Sequence, residues 1–233
     1  TSAFADTNWV QADQTFTLNI DTNSGSLITS YYCVDYTGSD CLLPENFLTY
    51  GTSITADQTS GSDASIIVYF YTADEAGNIE STKDVTLLID QKAPTTEYTG
   101  TTTDGQGATI SYVSGWSMND VTLTFTSTDT GVDQGVETTK VKTYTCAAAK
   151  GATCSPALNA AKSLTLTAAA DTVREYDVYY YSEDSLTNAQ TLQGPITVQI
   201  DKTTPVTSAF ADTNWVQADQ TFTLNIDTKR GNL

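Results

Sequence analysis

Strict alternation of apolar and polar residues recurs three times along the chain. Phe16, Leu18 and Ile20 alternate with Thr15, Thr17 and Asn19. Val121, Leu123 and Phe125 alternate with Thr122 and Thr124, and Phe222, Leu224 and Ile226 repeat the first run. A period of two sends one set of side chains into a core and the other into water, which predicts strands of antiparallel sheets with one wet face. Each run follows a tryptophan: Trp9, Trp116 and Trp215. More strand candidates then come in the same order twice. Residues 28–34, 47–54, 66–72 and 85–90 answer to 137–146, 163–168, 176–182 and 196–201. The third of these reads IIVYFYT in one copy and YDVYYYS in the other, β-branched and aromatic residues that fit a pleated surface. No stretch sustains a helical period; the residues around Ala160 offer at most one turn.

The order repeats because the sequence repeats. Residues 1–22 and 207–228 are the same 22 letters, 206 positions apart. The copies diverge immediately afterwards, where Asn23 and Ser24 become Lys229 and Arg230. Homologous units in tandem account for both facts, and the chain reads as a piece of a longer repetitive protein. The units close on IDQKAPTT and IDKTTPVT, each with an Asp at the strand end (Asp90, Asp201) and a proline four residues later (Pro94, Pro205). Proline donates no ladder hydrogen bond and stiffens a linker. The expected domains are residues 1–93, residues 94–204 and the start of a third at 205–233, with about seven short strands per complete unit. The second unit is the longer, and its extra residues are expected in the Thr/Gly-rich stretch 99–107 and in loops after Asp129. The core is expected to hold Phe16, Leu18, Ile20, Val68, Phe70, Leu123, Phe125, Val178 and Tyr180.

Four cysteines sit as Cys33 with Cys41 and Cys146 with Cys154, both pairs eight residues apart. Equal local spacing in two repeats points to two local disulfides and hence to an oxidising, extracellular or periplasmic setting. The net charge is −18, from 28 acidic and 10 basic residues, and there is no histidine. No basic surface is available for nucleic acid or anionic membrane, and no apolar run is long enough to insert in a bilayer.

Taken together, these marks resemble the bacterial immunoglobulin-like repeats of large cell-surface and adhesin proteins. The residues that carry the resemblance are Asp21 with Ser24 and Gly25, the CVDYTGSDC hairpin followed by Pro44, Asp74-Glu75-Ala76-Gly77-Asn78, and Asp90 with Pro94. The second unit supplies Asp129 with Gly131, Cys146 to Cys154 then Pro156, Asp184 with Asn188, and Asp201 with Pro205. One departure is Thr187 at the place of Gly77, which predicts a differently built turn. The resemblance implies all-β, tandem immunoglobulin-like sandwiches. It also implies a non-enzymatic role on a cell surface, as a stiff spacer or as an adhesive module.

Catalytic chemistry finds no support. Without histidine there is no Ser-His-Asp or Cys-His pair, and no nucleophile elbow or phosphate-cradling loop occurs. Calcium is the better chemical hypothesis, because hard cations take carboxylate and carbonyl oxygens. The candidate ligands are Asp90 and Asp201 at the unit ends, Asp74 in its turn, and Asp129 with Asp133. The competing reading is that these acids are solvated turn residues. The tryptophans read as packing residues. Tyr31, Tyr32, 69–71 and 179–181 alternate faces, so some rings point outward, where they could serve sheet structure or meet glycan or protein. The expected partners are neighbouring repeats of the same chain, then other copies in a filament, or a cell-surface glycan or protein. A further alternative is an accessory domain of a secreted hydrolase.

Overall fold

The computed structural model describes residues 2–3, 8–21, 27–58, 61–133, 135–136, 140–209 and 224–227, and almost every regular element in it is a strand. Two short 3-10 segments, Pro44–Asn46 and Gly131–Asp133, are the helical elements among these residues. No helix there is long and apolar enough to cross a membrane. The chain divides into two compact units. The first comprises Thr1–Thr96, Ser127–Lys142 and Ser182–Thr191; the second comprises Glu97–Thr126, Thr143–Tyr181 and Leu192–Leu233.

The same five-stranded sheet is built twice. In one, the spatial order is Trp9–Val10, Lys83–Asp90, Asp63–Asp74, Ile28–Asp35, Leu48–Thr49. In the other it is Trp116–Ser117, Gln193–Asp201, Val173–Glu183, Lys142–Ala149, Ala157–Leu158. The tryptophan strand runs parallel to the closing strand in both, with Trp9 opposite Leu88 and Trp116 opposite Gln199. The remaining pairings in these two sheets that carry a residue register are antiparallel.

Facing strands complete each sandwich. Gln14–Phe16 pairs with Ile54–Ala56, and Ser2–Ala3 with Leu18–Asn19. The last pairing recurs in the repeated segment, where Ser208 faces Asn225 and Ala209 faces Leu224. In the second sandwich Val121–Asp129 is central, bonded to Thr95–Thr103, Ser163–Leu166 and Gly135–Val136.

The cores follow the alternation. One cluster joins Leu18, Ile54, Ile66, Val68, Phe70, Val85, Leu87 and Ile89, with Phe16 and Ile20 against it. The other joins Val121, Leu123, Phe125, Leu166, Val178, Tyr180, Val198 and Ile200. Both disulfides are formed, with Cα separations of 5.8 Å for Cys33–Cys41 and 6.1 Å for Cys146–Cys154. The fold is all-β and of the immunoglobulin-like sandwich kind.

Three local expectations are corrected, and the second unit's extra length takes a definite form. The second unit's extra length at 99–107 belongs to a hairpin of Thr95–Thr103 with Thr109–Tyr112. Its turn is closed by Asp104, whose Oδ1 accepts hydrogen bonds from the Gln106 and Ala108 amides at 2.9 and 2.8 Å. Gly100 is compact by necessity, since a Cβ there would lie 2.5 Å from the Tyr112 carbonyl oxygen. The expected strand over 47–54 is two short ones, Leu48–Thr49 and Ile54–Ala56, which belong to different sheets. Of the strand expected over 137–146, residues 137–139 lie outside the described residues, and the strand into the second cysteine pair is Lys142–Ala149, starting later and running past Cys146. Finally, the turn at Thr187 is built like the one at Gly77. Both residues adopt positive φ (71° and 87°), and Asp184 and Asp74 each donate their amide to the carbonyl four residues on. A β-branched residue pays for that conformation with strain that glycine does not carry.

Candidate cation site

Three strands end in aspartates that meet. Asp90 closes Lys83–Asp90, Asp129 closes Val121–Asp129, and Asp184 directly follows Val173–Glu183. One carboxylate oxygen from each lies within 4.8 Å of the others, and all three side chains are buried. All three residues belong to the first compact unit. Two oxygens on opposite sides of a bound calcium ion stand roughly 4.6–5.2 Å apart, so the spacing suits that ion.

Each carboxylate is held from its own loop. Asp184 Oδ1 accepts the Leu186 and Asn188 amides at 2.8 and 2.9 Å, and its Oδ2 accepts the Asn188 side-chain amide at 2.7 Å. The same Asn188 nitrogen donates to the Asp90 carbonyl at 3.0 Å, while its Oδ1 accepts from Gln11 Nε2 at 3.0 Å. Because Gln11 occupies the oxygen, the Asn188 nitrogen is the atom turned toward the acids. Asp90 Oδ1 accepts the Lys92 amide at 3.1 Å and Oδ2 the Val132 amide at 2.8 Å. Asp129 Oδ1 accepts the Thr130 amide at 2.9 Å. The 3-10 segment that carries Val132 comes this close because residue 131 is glycine. Its φ is +72°, and a Cβ there would sit 2.4 Å from Asp90 Oδ2.

A fourth acid flanks the three. Asp63 stands directly opposite Asp90 in the sheet register, and its Oδ2 accepts the Thr130 hydroxyl. Its Oδ1 is buried with no hydrogen-bond partner of ordinary geometry among the described residues. Burial pushes the Asp90 carboxyl from 3.8 up to about 7. The Val132 and Lys92 amides oppose the rise, and the Asp63 carboxyl adds to it. Charge of one sign is therefore crowded into a dry place, which a proton or a cation can relieve. The donors are hard oxygens, and the structure has no free cysteine. That chemistry suits calcium or magnesium and not a soft, thiolate-seeking metal. Asp90, Asp129 and Asp184 would hold such an ion.

Of the acids singled out in the sequence, Asp90 and Asp129 come together here. Asp74 does not join them: it closes its own turn, accepting the Asn78 amide and side-chain amide, both at 2.8 Å. The Asn78 side-chain bond leads the causes that hold its carboxyl below the usual range. Asp201 accepts the Thr203 amide at 2.9 Å, the same two-residue reach that Asp90 makes to Lys92. The side chain of Asp133 lies outside the described residues, as do Trp215 and most of the third unit. Asp184 is the ligand candidate that sequence reasoning missed. Its spacing to Asn188, shared with Asp74 and Asn78, was the available signal.

The other polar and aromatic features divide cleanly. Asp35 caps the first disulfide loop, its Oδ1 accepting the amides of Thr37, Gly38, Ser39 and Asp40. Burial raises its carboxyl, but those four bonds outweigh it and leave it below the usual range. Trp9 and Trp116 are half-buried in their parallel pairings, as packing residues. Outward rings stack in pairs: Tyr31 on Tyr71 at 5.1 Å, and Tyr144 on Tyr181 at 4.6 Å. Beside the first pair, Leu42, Leu43, Pro44, Phe47 and Tyr71 line an open apolar groove.

No protein-family description matches the chain, and no curated protein does. Among solved structures, the fibronectin(III)-like modules of Clostridium thermocellum CbhA match with a TM-score of 0.28 and 11% identity. That match covers 84% of this chain and 88% of the other.

Proposed function

We propose that this chain is a non-enzymatic structural repeat of an extracellular surface protein, an adhesin or filament stalk in which the repeats act as a spacer. The observation that carries this reading is the same five-stranded order, each time with its own disulfide, built twice in one chain. Repetition of a whole sandwich adds length without adding a reactive group, and disulfides suit an oxidising exterior.

Calcium is the cofactor of this proposal, bound by Asp90, Asp129 and Asp184. Three carboxylates offer up to six oxygens, and water or carbonyls would complete a shell of about six to eight. The ion would neutralise the buried acids and tie three strand ends together. Thermal melting with calcium and then with chelator tests it. Saturable stabilisation by about 3 kcal/mol is expected once calcium exceeds its dissociation constant roughly a hundredfold. Identical melting in both conditions would remove calcium from the proposal.

A second reading, an adhesive module, is favoured by the groove beside Phe47 and Tyr71. Saturable binding to an immobilised glycan panel, lost in Tyr71→Ala, would support it; no binding across the panel would leave the spacer reading.

A further inference from the structure

We draw no further inference here: the strongest candidate, the buried carboxylate cluster of Asp90, Asp129 and Asp184 at three strand ends, belongs to the site already described, and the apolar groove beside the first disulfide carries nothing because no feature of the structure shows what covers it.

Discussion

Replacing Asp90 by asparagine removes one charge from the acid cluster with almost no change in side-chain size. The wild-type carboxyl titrates at about 7 against 3.8 for an ordinary aspartate. At 1.36 kcal/mol per unit, ionising it in the folded state costs roughly 4 kcal/mol above that range. The sign follows from proton counting. Between 3.8 and about 7 the folded chain holds a proton that the unfolded chain has released. Stability in chelator therefore falls as pH rises through that window. Asp90→Asn removes this loss. Against it stands one broken match: the Lys92 and Val132 amides each point at an Asp90 oxygen, and an asparagine has only one. Leaving a buried amide unmet costs about 1–3 kcal/mol. The variant should thus be about 1–3 kcal/mol more stable than the parent in chelator at pH ~8. It should also lose most of the calcium-dependent gain, since the ligand is gone. Urea denaturation at pH values spanning the window, with and without calcium, reads both effects. Lower stability in chelator, or undiminished stabilisation by calcium, would refute the reasoning.

Two further substitutions probe the site's frame and the core. Gly131→Ala puts a Cβ 2.4 Å from Asp90 Oδ2 at a φ of +72°; it should cost about 1–3 kcal/mol and weaken the calcium response, read by paired melts. Leu123→Ala empties a fully buried position opposite Leu164 and should cost about 2–5 kcal/mol in denaturant unfolding; an unchanged midpoint would contradict the inward register of Val121–Asp129.

Alternation carried most of the fold. Val121, Leu123 and Phe125 are fully buried while Thr124 is exposed, as a period of two requires. The hairpin at Thr95–Thr103 escaped because its inward residues are Thr96, Gly100 and Thr102, not apolar ones. Those threonines bury their hydroxyls by hydrogen bonding, Thr96 with Ser127 at 2.9 Å and Thr102 with Ser117 at 2.7 Å. A polar face that satisfies itself looks like a loop to any hydrophobic pattern. The tryptophan strands are two residues each, too short to show a period at all.

The site was half legible for a different reason. Position at a strand end marked Asp90 and the nearby Asp133 marked Asp129, but repeat symmetry treats Asp74 and Asp184 as equals. Locally they are equals: each closes a turn on an asparagine four residues later, with the intervening residue at positive φ. The difference lies in what surrounds them. Asp184 is fully buried facing Asp90 and Asp129, whereas Asp74 stays half-exposed with its charge stabilised by its own turn. The strained Thr187 belongs to the turn that meets the other acids, and the relaxed Gly77 to the turn that does not. A motif therefore fixes how an aspartate is held; convergence of separate strand ends decides whether it has anything to hold.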